Sequence, residues 1–470
     1  MRTRRVVITG LGPVTPIGIG VDEFYQSLKE GRSAVSKITS VPDIEAWPGQ
    51  YGAEINDFDL EALLSDTVMV SISDMHDLRK RDRSIHFGVV ASYLALRDAG
   101  LHYDADINDI GLFIGNAMQC ALALENEIVR LFSQRFAEEY RSFIEHLELL
   151  RANGLQENEI QQIIDEWRKK YDAANKPGAA LRDFLNGNPY RKIGPIWLTF
   201  FNYAIPGIIA RMLKLHGPVA ALNSACSSGA DAIGLAYQMI KLGKVPVIVA
   251  GGTEAPLCQT NVALFNNLRV MSKNGCKPFD KDRDGLALAE GSGMIVLEEL
   301  NHARKRGARI YAEMVGYSAT NDAFHLVAMH PQGKYLEIAI RDALAEAQIR
   351  PQEVDYVNAH GTSTSDCDQI ESRVLKALVG DTNHLKVSST KAATGHMVGG
   401  VGGAEAIACA LAIAKQFVPP TVNLTHPDIE AGCDLDYVPG KSQEWPVRIA
   451  ISNTMGFGGF NTTLVFRKYE

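Results

Sequence analysis

A cysteine set where an apolar run gives way to a helix-like segment is a candidate nucleophile, and Cys226 holds that place in Asn223-Ser224-Ala225-Cys226-Ser227-Ser228-Gly229. Ahead of it, Pro218-Val219-Ala220-Ala221-Leu222 reads as a buried strand. Behind it, Ala230, Ile233, Tyr237 and Ile240 keep a helical spacing that Gly243 can close. The thiol would then lie at a helix N-terminus, where unpaired N–H groups and the positive end of the macrodipole favour the thiolate, the reactive form. A single buried cysteine is more commonly a small apolar residue, so the weight falls on what else could reach it.

Three further segments end apolar strands in polar loops. Tyr356-Val357-Asn358-Ala359-His360-Gly361-Thr362-Ser363-Thr364 offers an imidazole among hydroxyls. Val387-Ser388-Ser389-Thr390-Lys391-Ala392-Ala393-Thr394-Gly395-His396 offers a lysine and a second imidazole. Asn453-Thr454-Met455-Gly456-Phe457-Gly458-Gly459-Phe460-Asn461 is a glycine loop whose N–H groups would be open to an oxyanion. Each alone fits an ordinary structural role. Together a thiol, two imidazoles, an ammonium and a glycine loop suit acyl transfer through a thioester followed by carbon–carbon bond formation.

These segments, with Pro278-Phe279-Asp280-Lys281-Asp282-Arg283-Asp284-Gly285, make the chain resemble a β-ketoacyl-[acyl carrier protein] synthase of the synthase I/II branch of the thiolase superfamily. The resemblance runs from Val6-Val7-Ile8-Thr9-Gly10-Leu11-Gly12 to Leu464-Val465-Phe466 and leaves out one interior segment. It implies an α/β fold of thiolase-like, duplicated five-layered α-β-α-β-α architecture. It also implies decarboxylative condensation of a cysteine-bound acyl chain with malonyl-carrier protein, in fatty acid or type II polyketide or polyene synthesis, without cofactor or metal.

The same resemblance implies roles. Cys226 is the nucleophile, the N–H groups of Cys226 and Phe457 form the oxyanion hole, and His360 and His396 steady an enolate. Lys391 sets the electrostatics, Glu405 orients the lysine region, and Thr362 and Thr364 meet the pantetheine arm. Met118, Phe265, Met455 and Phe457 match acyl pocket and gate positions, while Arg79, Lys80 and Arg269 match docking positions for an acidic acyl carrier protein. The chain departs from the family at Met455, at Ser365-Asp366-Cys367, at Ala289 and at Phe460, which bears on substrate choice rather than on the reaction. A homodimer, or a heterodimer with a related subunit, is implied as well.

The elements that must position these groups alternate. Val6–Thr9, 110–114, 245–250, 295–297 and 354–358 read as strands, 87–99 and 335–347 as helices, which is an α/β pattern. Two ketosynthase halves, 1–306 and 307–470, are expected, with an inserted helical hairpin at about 132–187 in the first. The hairpin rests on two stripes at helical spacing, Ile128, Phe132, Phe136, Tyr140, Ile144, Leu147 and then Ile160, Ile163, Ile164, Trp167, Tyr171, with Ala152-Asn153-Gly154 as the turn.

Composition narrows the class. With 470 residues and 46% hydrophobic content the chain can bury a large core, and a net charge of −8 supplies no basic field for nucleic acid. Seven scattered cysteines point to a reducing, cytoplasmic setting. No apolar run reads as spanning a membrane. A thiolase would carry a second cysteine in the glycine loop, where this chain has Phe457, and the plant-type and priming synthases pair one histidine with asparagine. Gly10-x-Gly12 lacks the third glycine of a dinucleotide fingerprint and reads as a strand turn. The rival from another class is a non-catalytic partner of the chain-length-factor kind. Such partners usually lack the nucleophile that Cys226 supplies here.

Overall fold

The computed structural model describes residues 4–65, 67, 70–101, 109–119, 123, 126, 141–152, 155–174 and 201–470. Residues 1–122 and 200–470 form one compact unit and residues 123–199 a second.

The first unit is built on two runs of five strands with the same internal order. Strands β1 (Val6–Thr15), β2 (Gly111–Gly115), β3 (Val219–Leu222), β4 (Val247–Glu254) and β5 (Gly291–Glu299) lie side by side as β3-β2-β4-β5-β1. Strands β6 (Ala312–Asn321), β7 (Tyr356–Asn358), β8 (Lys386–Ser388), β9 (Ile449–Gly456) and β10 (Phe460–Arg467) lie as β8-β7-β9-β10-β6. In both runs the first two joins are parallel and the last two antiparallel. The runs meet through β1 and β6, antiparallel over Val6–Met314, Val7–Glu313 and Ile8–Ala312.

The helices that matter to the site are α1 (Arg83–Asp98), α2 (Ser228–Lys241), α3 (Gln259–Asn267), α4 (Lys334–Ala347), α5 (Ser365–Val379), α6 (Lys391–Thr394) and α7 (Val401–Lys415). Helix α1 covers the outer face of the first run and α4 that of the second, while α2 and α7 touch each other and strands of both runs. The layering is therefore helix, sheet, helix pair, sheet, helix, the expected thiolase-like architecture. Helix α7 is apolar on every side except at Glu405, and it is buried all round from Val401 to Ile413. Its stretch Val398–Lys415 has the length and composition to cross a membrane, so the expectation that no run reaches spanning length needs correction; the core of this unit fills that role.

Two local readings also change. Strand β1 does not end at Thr9 but runs on to Thr15, with a register shift between Ile8 and Gly10. Gly10 and Gly12 are thus no turn. They let α1 lie against the strand, since a Cβ on either would fall 2.1 Å from Ala95 O or 1.9 Å from Ala91 O. Strand β3, expected to be buried, is instead the edge of the sheet, with Val219 44% exposed. Its sequence is that of an inner strand, and nothing local marks it as the last.

In the second unit, residues 141–152 and Glu157–Ala174 are helical, and Leu147 and Ile160 are buried. Two helices of the expected hairpin are thus present. Ile128, Phe132, Phe136, Tyr140 and the turn residues Asn153 and Gly154 lie outside the described residues.

Candidate active site

Cys226 sits on a tight elbow between β3 and α2. The chain is forced there through a left-handed residue, Ala225 (φ 52°), a conformation that costs a non-glycine residue about 1–2 kcal/mol. Hydroxyls hold the elbow: Ser227 Oγ donates to Ser224 O at 2.8 Å, Ser228 Oγ to Ala225 O at 2.6 Å, and Ser224 N–H to Ser228 Oγ at 2.9 Å. Behind it, Ser224 Oγ, Thr462 Oγ1 (2.7 Å) and Tyr317 OH (3.1 Å) all donate to the buried Asp231 carboxylate.

The turn after β9 closes over this elbow. A Cβ on Gly456 would come 2.8 Å from Ser224 O and 3.1 Å from Cys226 N, so only glycine allows the approach. Gly458 N–H donates to Leu326 O (2.6 Å) and Gly459 N–H to Gly456 O (3.2 Å), so these two are not open to a ligand as the sequence suggested. The N–H groups of Phe457 and of Cys226 itself bear on the thiol. Burial pushes the Cys226 thiol up to about 12, against the lowering effect of Lys391 and of these two N–H groups.

His360 and His396 are nearly perpendicular, with ring centroids 5.4 Å apart. The His360 loop hangs from a carboxylate that sequence reading missed: Glu371 on α5 accepts the N–H groups of His360 and Gly361 at 3.0 Å each, and the amide of Asn453 at 3.2 Å. Asp368, one turn earlier, takes the N–H groups of Ser363 (3.1 Å) and Phe279 (2.7 Å), tying the Pro278–Gly285 segment to the same loop. Both acids fall on the apolar stripe of α5, with Cys367, Ile370 and Val374. An acid on a buried stripe was the signal available in the sequence. His396 is fixed by main chain, its N–H to Ala287 O at 2.7 Å and its carbonyl to Ala289 N–H at 2.9 Å. Gly395 leaves room for the Ala289 side chain, a Cβ there lying 2.8 Å from it.

Lys391 and Glu405 are fully buried and paired, and Thr454 Oγ1 donates to the same carboxylate at 3.1 Å. Burial raises the Glu405 carboxyl to about 7, with Lys391 opposing. Removing one partner of such a pair typically costs about 3–5 kcal/mol, because the other charge is left bare. Glu254, also missed, caps the N–H groups of Ala117 (2.9 Å), Met118 (3.2 Å) and Gly399 (3.1 Å) at the end of β4.

A cavity of about 360 Å³ brings Cys226, His360 and His396 together. Phe265, Met455, Phe457, Thr362, Thr364 and Arg269 also line it, with the apolar run Val327-Ala328-Met329, which sequence reading did not single out. Phe265 stacks on Phe457 at 6.0 Å. Met118 packs on the apolar group around the thiol without lining the cavity. Lys391 and Glu405 are not among its lining residues. Arg79 and Lys80 are not part of it: Arg79 is exposed and paired with Glu61 at 2.6 Å, and Lys80 reaches His76 at 2.9 Å.

A thiol on a strained elbow, opposed by two imidazoles in a duplicated five-layer fold, defines a thiolase-fold condensing enzyme. Residues 3–153 and 169–303 match the family model described as Beta-ketoacyl synthase, N-terminal domain, and residues 311–425 match Beta-ketoacyl synthase, C-terminal domain. This chain belongs to the β-ketoacyl synthase family. It is 37% identical to a 3-oxoacyl-[acyl-carrier-protein] synthase 2 of Synechocystis sp. and 35% identical to one of Coxiella burnetii, covering 100% of this chain and 99% of each relative. Among solved structures it resembles the ishigamide ketosynthase/chain length factor (TM-score 0.78, 30% identity, full coverage of both chains). It also resembles a type II polyketide ketosynthase in complex with its acyl-carrier protein and bound to the hexaketide (TM-score 0.77, 28% identity, full coverage of both).

Both imidazoles are held well below the ordinary histidine range, by burial first and then by the Lys391 charge, with His396 adding to the effect on His360. An NMR titration of labelled histidine should therefore show both rings neutral at pH 6. An inflection near 6.5 for either would contradict this electrostatic picture.

Proposed function

We propose that this chain is a β-ketoacyl-[acyl carrier protein] synthase: it condenses an acyl group held on Cys226 with malonyl-carrier protein and releases a 3-oxoacyl-carrier protein, in fatty acid or type II polyketide synthesis. The observation that carries the reading is the single cavity shared by Cys226, His360 and His396.

In the first half-reaction Sγ of Cys226 attacks the thioester carbonyl, the carrier thiol leaves, and the thiol proton departs with it. The carbonyl oxygen, negative in the tetrahedral state, meets the N–H groups of Cys226 and Phe457. Loss of such a donor costs on the order of a hundredfold in rate. In the second half-reaction the malonyl C–C bond breaks, carbon dioxide leaves, and the electron pair moves toward the thioester oxygen. Neutral imidazoles at His360 and His396 each retain an N–H to donate to that oxygen. The resulting carbon nucleophile attacks the acyl carbonyl and expels the Cys226 sulfur as a thiolate, which takes a proton from solvent to restore the thiol. Lys391, held by Glu405, sets the electrostatics of the site, while Thr362 and Thr364 in the cavity lining suit the pantetheine arm.

Phe265, Met455 and Phe457, with Met118 behind them, form the acyl pocket and gate, and Met455 gives the gate a flexible thioether. Arg79, Lys80 and Arg269 dock the acidic carrier. The outer edge of β3, unpaired among the described residues, with Leu235 exposed on α2 and Leu242 exposed just past its end, supports a dimer joined edge to edge. The unpaired cysteines among the described residues fit a cytoplasmic enzyme.

Incubation with an acyl-carrier thioester should add one acyl mass to the intact protein, and Cys226→Ala should abolish it. An unmodified wild type would favour the non-catalytic partner role instead. Arg79→Glu with Lys80→Glu should raise the carrier-protein KM about tenfold or more while acylation by small thioesters stays intact; equal loss of both would end the docking assignment. Sedimentation should give twice the chain mass for the wild type and a monomer for Val219→Lys, whereas a monomeric wild type would remove the edge-to-edge dimer.

A further inference from the structure

We propose that Asn261 selects acyl chains bearing an oxygen well beyond the thioester, a specificity that rests on the reading of Cys226 as the acyl carrier. Helix α3 buries Asn261, Val262, Phe265 and Asn266. The two asparagines are treated differently by their surroundings. The Asn266 amide nitrogen donates to Gly49 O and Val262 O, both at 3.0 Å, and its oxygen accepts Gly49 N–H at 2.8 Å. Asn261, only 3% exposed, has an amide nitrogen with no acceptor among the described residues.

A buried donor left bare costs about 1–3 kcal/mol, so its retention in a packed wall calls for an acceptor that arrives from elsewhere. Position says where from. Asn261 and Phe265 stand four residues apart on one helix face, and side chains on a helix lean toward its N-terminus, so Asn261 covers ground one turn, about 5.4 Å, beyond Phe265. Phe265 lines the cavity and stacks on Phe457, whereas Asn261 stands outside that lining, one turn further along the helix. The apolar group around Cys226 includes Leu257, Val262 and Phe265, with Met118 packed against it. A plain hydrocarbon chain that passes Phe265 satisfies those groups and leaves the Asn261 N–H empty. A chain with a carbonyl or hydroxyl oxygen at that depth fills it. The β-oxygen of a newly made product is too close to the thioester to reach, so the favoured class is an acyl chain that keeps an oxygen from an earlier round of elongation.

The test uses the full chain and synthetic pantetheine thioesters in matched pairs, hexanoyl against 5-oxohexanoyl and octanoyl against 7-oxooctanoyl, with the rate of Cys226 acylation read by intact mass. In the wild type one oxo chain should react about tenfold faster than its plain partner. Asn261→Leu should erase or reverse that preference, and Asn261→Ser, which keeps a hydroxyl donor, should retain part of it if the leucine variant fails to fold. Adducts formed equally from plain and oxo chains, or a preference that survives Asn261→Leu, would overturn the role of Asn261 and leave water as the partner of its amide. No adduct from any thioester would instead remove the acyl-carrier reading of Cys226, and this selection with it.

Discussion

The site depends on one close approach: the turn after β9 lies against the elbow that carries Cys226, with room at Gly456 for a hydrogen and nothing more. That contact brings the N–H of Phe457, from the second strand run, to a sulfur supplied by the first. The elbow can hold its strained residue because it is fastened from three sides, by its own hydroxyls, by Asp231 behind it and by the turn above it. Strain of this kind persists where the surroundings over-determine it.

Around this contact, buried acids do the positioning. Glu371 and Asp368 hold the His360 loop through main-chain N–H groups, Glu254 holds the Ala117–Met118 turn to Gly399, and Glu405 holds Lys391. Each lies in a setting that burial alone makes unfavourable for a charge, and each takes hydrogen bonds or an ion pair that offset it. Main-chain donors fix a loop more firmly than side chains do, because they have no rotamers to explore. The imidazoles, by contrast, have no oppositely charged partner among the described residues and feel the Lys391 charge, which favours their neutral form.

Much of this was legible in the sequence, for reasons that differ from residue to residue. The elbow at Cys226 could be read because an apolar run and a helical spacing flank it, and His360, His396 and Lys391 because each ends a short apolar strand. The alternation of strands and helices gave the α/β class. Order in the sheet was another matter: Val219–Leu222 has an inner strand's composition yet forms an edge, since edge position is decided by which strands pair elsewhere. Gly10 and Gly12 looked like a turn because their reason is a helix packed against the strand 80 residues away in sequence, at Ala91 and Ala95. Openness of the Gly458 and Gly459 N–H groups could not be inferred either, as their partners, Leu326 O and Gly456 O, depend on how the loops fold together. Glu371 and Asp368 left a trace as acids on an apolar helix stripe, but only coordinates say that they face a loop rather than solvent.

The repeated strand order has a further bearing on how such a site can change. In each run the third strand leads into a reactive corner: β3 into Cys226, β8 into Lys391. Nucleophile and cation therefore stand at corresponding corners of the two runs, and the field of the one lowers the proton affinity of the other. The sulfur's acidity can thus be retuned by substitutions in the matching corner of the other run while its own backbone stays untouched.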